Sequence, residues 1–178
     1  NDLEQTGFDL WGKCQECERW TLLTKNNFGH STLTLNNELH KVDGLVTIKD
    51  FKGGNNPEVT FELTPAFHGL LKSAQRKFRK DSPVSLTVED LIEVSDSAKL
   101  ITWQLMTTAD VELTKEGAIL RQDNKSLKIE NLSHPGLSMS VVSLDPAPLK
   151  LDRQIKGLKR VELRIPAWTI ENDKTVIR

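Results

Sequence analysis

Short runs in which apolar and polar residues alternate dominate the chain. Ser31-Thr32-Leu33-Thr34-Leu35 alternates and then turns at Asn36-Asn37. Leu45-Val46-Thr47-Ile48 runs into Lys52-Gly53-Gly54-Asn55-Asn56-Pro57, a stretch dense in turn formers. Val59 to Leu63, Val84 to Val88 (extending through Asp90 to Val94), and Leu100 to Met106 read as further strands. Val111 to Leu113, Ala118 to Leu120, Leu127 to Ile129, Ser138 to Val142 and Val161 to Ile165 complete the series. Phe67 to Lys80 carries some helical spacing, but its neighbours are strands on both sides, and a strand is expected there. Roughly a dozen short strands with short connections predict an all-β antiparallel sandwich with little helix.

One domain spanning residues 1–178 is expected, with a weak boundary near 145–148, where Pro146-Ala147-Pro148 interrupts the pattern. The chain opens on Asn1 and ends inside a strand-like run, so a piece of a longer chain is expected. Charge is nearly balanced, with 24 Lys and Arg against 25 Asp and Glu, which does not favour a nucleic-acid partner. No apolar run approaches membrane-spanning length. Tyrosine is absent, so any mechanism that needs a phenol must borrow it from another segment.

Candidate chemistry is sparse. Gly29-His30 stands directly before the first clear strand, where a loop imidazole on a rigid scaffold reaches a ligand or metal. Cys14, Cys17, His30 and His40 follow a C-x2-C-x12-H-x9-H spacing. The last interval is too long for a two-Cys, two-His zinc finger, and two loop cysteines, free or bonded, are the simpler reading. Five strand residues at about 3.3 Å each place His40 roughly 15 Å from His30 unless the chain returns sharply. His68 and His134 sit in turn-like contexts. In the basic stretch Lys72 to Lys80, Arg76 shares a strand face with Phe78 and Lys80, and its fork suits carboxylates or sulfates of an acidic glycan. A solvated, aggregation-resistant edge strand is the plainer account of that cluster. Trp103 is expected in the core, whereas Trp11, Trp20 and Trp168 are open to sugar stacking. No carboxylate pair, phosphate loop, G-x-S-x-G or H-E-x-x-H motif is present.

Several segments in order resemble the C-terminal β-domain of heparinase II/III-like polysaccharide lyases. They are Arg19 to Leu23, Asn26 to Leu35, His40 to Gly44, Phe61 to Phe67, Arg76 to Phe78, Val88 to Asp90 and Trp103 to Ala109. The resemblance implies a supersandwich-like β-domain that follows a helical (α/α) toroid in a periplasmic or secreted enzyme. Such enzymes cleave glycosaminoglycans and other acidic polysaccharides by β-elimination. It also implies that the catalytic groups lie on the toroid, so this chain is a non-catalytic fragment with no catalytic residue of its own. The toroid and an acidic polysaccharide would be its partners, with Trp20 and Arg76 as substrate contacts. His30 in Gly29-His30-Ser31-Thr32 matches the last ligand of a structural zinc in the full-length parent, although Ser31 stands where Asn is usual. A stand-alone carbohydrate-binding β-sandwich, and a zinc-bound module built on Cys14, Cys17, His30 and His40, are the competing expectations.

Overall fold

The alternating segments pair into three antiparallel sheets. The structure, a computed structural model, describes Gly12 and residues 14–178. Twelve strands lie among the described residues: β1 (Leu33–Leu35), β2 (Thr47–Lys52), β3 (Glu58–Glu62), β4 (Leu71–Ser82), β5 (Ser85–Val94), β6 (Leu100–Thr107), β7 (Asp110–Thr114), β8 (Gly117–Gln122), β9 (Lys125–Glu130), β10 (Ser140–Ser143), β11 (Lys159–Pro166) and β12 (Lys174–Ile177). A four-stranded sheet runs β1-β6-β11-β10, a five-stranded sheet β12-β5-β4-β3-β2, and a three-stranded sheet β7-β8-β9. The helical elements are 3-10 turns of three or four residues.

Register explains which face becomes core. In the four-stranded sheet Leu33 and Leu163 lie opposite Trp103, and Leu35 and Ile165 lie opposite Ile101. These cross-strand rows make one apolar face. Ala74 lies opposite Ile92 on the five-stranded sheet, and both join the same buried cluster, with Ala118 and Leu120 of β8 and Ile177 of β12. Burying each such Leu or Ile side chain contributes about 1.5–3 kcal/mol. One shared core therefore holds the sheets as a sandwich.

Turn chemistry sets the connections. Asn36 and Asn37 both take positive φ (52° and 57°), as do Asp123 and Asn124 between β8 and β9; side chains of this type tolerate the left-handed region. The region expected as one strand from Phe67 divides. Thr64–Phe67 forms a 3-10 turn that buries Phe67, His68 (φ 51°) closes it, and the strand begins at Leu71. Nor is that strand an edge: β4 lies between β3 and β5. Trp103 is half-buried and packs against the core as expected. The loop at 145–148 connects β10 to β11, two strands that pair with each other. Among the described residues no helix is long and apolar enough to cross a membrane.

The outer face of the four-stranded sheet is unusual. Thr34, Thr102, Gln104 and Glu162 point there, and all four are buried. A buried polar face needs partners, because an unsatisfied group costs about 1–3 kcal/mol. Thr34 and Gln104 find partners in residues 27–30, which lie across this face as a third layer, and Glu162 pairs with Arg160.

Candidate functional site

Residues 20–42 build a pocket of about 280 Å³ on that third layer. The sequence makes the first wall out of caps and a close approach. Asn26 caps the 3-10 turn Asn27–Gly29 by accepting from the Phe28 amide at 3.0 Å. Its amide nitrogen donates back to the carbonyls of Trp20 and Thr21. Gly29 is required by contact: a Cβ there would stand 1.9 Å from the Leu23 carbonyl oxygen. The wall is then pinned to the sandwich. The Leu23 amide donates to Asp152 at 2.7 Å, and Arg160, itself paired with Glu162 at 2.7 Å, donates to the Phe28 carbonyl at 2.8 Å.

The second wall is the return of the chain after Asn36-Asn37. His40 donates its Nε2–H to the Leu33 carbonyl at 2.8 Å and meets Phe67 edge-on at 5.1 Å between ring centres. This overturns the expected separation of His30 from His40. The two-residue turn at positive φ brings the chain straight back along β1, so both imidazoles line the same pocket. Burial pushes the His40 pKa down, and the neighbouring His30, His68 and Arg76 push the same way, while the Leu33 carbonyl opposes them.

The lining has one sign of charge. Lys25 and Lys41 join His30 and His40, with Trp20 beside them, and the described lining residues include no carboxylate. Trp20 donates its indole N–H to the Cys14 carbonyl at 2.8 Å, and the Arg19 guanidinium sits 4.6 Å from its ring centre. Cationic stacking of this kind holds an indole in place with about 0.5–1 kcal/mol at an exposed site.

The remaining candidates fall elsewhere. Cys14 and Cys17 form a disulfide. That removes the thiolates a Cys14, Cys17, His30, His40 zinc module needs, and corrects that expectation. No group of three or more His, Cys, Asp or Glu suited to a metal occurs among the described residues. His30 and His40 fall short of the ligand number zinc takes. Arg76 lies on the inner face of β4, 7% exposed, with Nε and Nη2 on the two Asp90 oxygens at 2.6 and 2.8 Å and Nη1 on the Ser31 carbonyl at 3.1 Å. Its fork is occupied inside the protein. Asp90 is wholly buried; burial pushes its carboxyl up and the Arg76 pair opposes that. His134 bonds Ser133 at 2.9 Å in a loop, and His68 is exposed on its turn. Trp168 is 85% exposed, and Trp11 lies outside the described residues.

Several site residues were not picked out in the sequence: Lys25, Asn27, Thr34, Lys41 and Gln104. Gln104 carried a signal, because a glutamine inside the apolar strand Leu100 to Met106 must find partners when buried. The lysines carried none, since only the fold brings 25 and 41 together.

Three solved structures share this fold. A mutant heparan sulfate lyase from Pedobacter heparinus superposes with a TM-score of 0.60 at 16% identity, over 83% of this chain and 23% of that one. A heparinase III gene product gives 0.61 at 12% identity, over 83% and 22%. Its form with methylated lysines gives 0.62 at 13%, over 93% and 24%. The chain therefore has the β-sandwich fold found in part of these heparinase chains, and spans less than a quarter of their length. No family model and no curated protein matches the sequence.

Proposed function

We propose that this chain is the β-sandwich part of a polysaccharide lyase acting on acidic polysaccharides by β-elimination, where it forms one wall of the substrate cleft without supplying a catalytic residue. The observation that carries the reading is the pocket beside Trp20, lined by Lys25 and Lys41 (the latter 3.4 Å from Asp43 at its rim) with no carboxylate among the lining residues, on a chain of net charge −1 and a fold shared with heparinase chains. Lys25, Lys41 and the His30 imidazole offer donors to sulfate or carboxylate oxygens, while the single N–H of a neutral His40 is spent on the Leu33 carbonyl, and Trp20 offers a ring for sugar stacking. The glycan contact expected of Arg76 passes on this reading to the two lysines. Arg76 instead anchors the carbonyl next to His30 from behind. The eliminating base and acid belong to a helical toroid elsewhere in the parent protein. Zinc belongs to that parent too, with His30 as one donor among ligands from other segments. A periplasmic or secreted setting is supported by the Cys14–Cys17 disulfide, since such bonds persist in oxidising compartments.

Calorimetric titration with sulfated, uronate-containing oligosaccharides against neutral glucans tests this. Acidic chains bind, binding weakens with salt because the pocket charges are partly exposed, and Lys25→Ala or Lys41→Ala each lowers affinity by up to about tenfold. Equal binding of neutral and acidic glycans sinks the reading. The pure chain is expected to produce no unsaturated-uronate absorbance near ~232 nm, since elimination must create that C=C bond and on this reading its base and acid lie on the toroid.

A second reading has its own observation. The 85% exposed Trp168 is an aromatic platform of the kind a stand-alone carbohydrate-binding module would use. Loss of glycan binding in Trp168→Ala, with Trp20→Ala unaffected, favours it.

A further inference from the structure

Neither Thr34 nor Gln104 lines the pocket, yet both its imidazole-bearing walls hang on them. Thr34, on β1, is 1% exposed, and Gln104, on β6, is 2% exposed. The Gln104 amide nitrogen donates to two carbonyls of the first wall, Asn27 at 2.5 Å and His30 at 2.7 Å. The Thr34 hydroxyl donates to Gln104 Oε1 at 3.3 Å and accepts from the Asn27 side chain at 2.9 Å. The Asn27 carboxamide then reaches the second wall. It accepts from the His40 amide at 3.0 Å and donates to the Glu38 carbonyl at 3.1 Å. The chain Gln104–Thr34–Asn27 thus runs from one wall, through the buried sheet face, to the other. Gln15 also grips residues 40 and 42, from the disulfide segment, whose Cys14 carbonyl accepts from the Trp20 indole.

We propose that Thr34 and Gln104 are positioning residues that set the spacing of the His30 and His40 walls, and through it the affinity of the pocket for acidic saccharide. The inference rests on the saccharide reading above. Its physical basis is that a side-chain amide can meet two carbonyls only in one relative placement. The network is buried, so a bond lost there is not readily replaced by bulk water.

The test uses Thr34→Val, Thr34→Ser, Gln104→Glu and Thr102→Val in the full chain, well below their melting temperatures. Thr102 is the control: its hydroxyl is buried on the same face without a partner, so its loss leaves the walls alone. Two readouts are taken per folded molecule: the Kd for a heparin-derived tetrasaccharide, and the imidazole nitrogen NMR signals of His30 and His40. Thr34→Val, which breaks two hydrogen bonds, is expected to weaken binding at least about fivefold and to shift both imidazoles. Gln104→Glu does the same, because a carboxylate would face two carbonyl oxygens. Thr34→Ser and Thr102→Val stay within about twofold of wild type. A merely structural role lowers the melting temperature without moving either readout. Unmoved imidazoles and unchanged Kd in both Thr34→Val and Gln104→Glu overturn the inference. If wild type binds no acidic saccharide, the saccharide reading fails, and the spacing claim is decided by the imidazole signals alone.

Discussion

Removing the Arg76 side chain should be among the most damaging single changes in this protein, though no ligand need be involved. Arg76→Ala leaves Asp90 wholly buried with both oxygens stripped of their donors. Breaking a buried pair from one side costs about 3–5 kcal/mol, because the remaining charge stays desolvated. A domain of this size loses about 2–4 °C of melting temperature per kcal/mol, so a drop of about 6–20 °C is expected. The deficit should depend on pH in a defined direction. Burial pushes the Asp90 carboxyl above its ordinary 3.8, and Arg76 is the group that opposes this. In the variant the folded state therefore holds a proton that the unfolded chain releases. Its stability is fully present below the ordinary carboxylate value and is lost as pH rises through the raised one. The gap to wild type should thus be wider at pH 8 than at pH 5. Urea unfolding followed by circular dichroism at both pH values measures it. The double variant Arg76→Met with Asp90→Leu should recover most of the loss, since an apolar pair of similar volume replaces both charges. A single variant within about 1 kcal/mol of wild type, with no pH trend, would refute the claim that this pair is sealed inside the sandwich.

Wild-type stability should fall between about pH 7 and pH 5. Burial holds the folded His40 and His134 below their ordinary 6.5, so the unfolded chain binds more protons; their contribution is full above about 6.5 and drains as pH drops. His40→Gln with His134→Asn should flatten that slope in chemical unfolding at stepped pH, and an unchanged slope would contradict it. Gly29→Ala should cost more than about 2 kcal/mol and abolish saccharide binding, because its Cβ would stand 1.9 Å from the Leu23 carbonyl oxygen; a variant that melts and binds like wild type would show that the wall relaxes freely.

The all-β fold was legible because the evidence for it is local. Alternation with period two, punctuated by Asn-Asn, Asp-Asn and Gly-Gly pairs, dictates strands and turns wherever one face of a sheet must be buried. Leu33, Leu35, Ile101, Leu163 and Ile165 could be read as core from their spacing alone. The exposed-or-buried fate of Arg76 could not. Spacing placed it beside Phe78 on one face of β4, but only the packing of the two sheets decides that this face is the inner one there, and only register brings Asp90 opposite it. The same limit applies to the pocket. His30 was visible from its place before a strand, and His40 was misplaced, because a linear rise per residue ignores a turn that sends the chain back along itself. What the sequence alone determined is the strand inventory and the turns, which follow from steric and solvation preferences of neighbouring residues. What the tertiary structure decided is which polar residues become partners, because Gln104 finds Asn27, and Arg160 finds the Phe28 carbonyl, only once distant strands have assembled a sheet face.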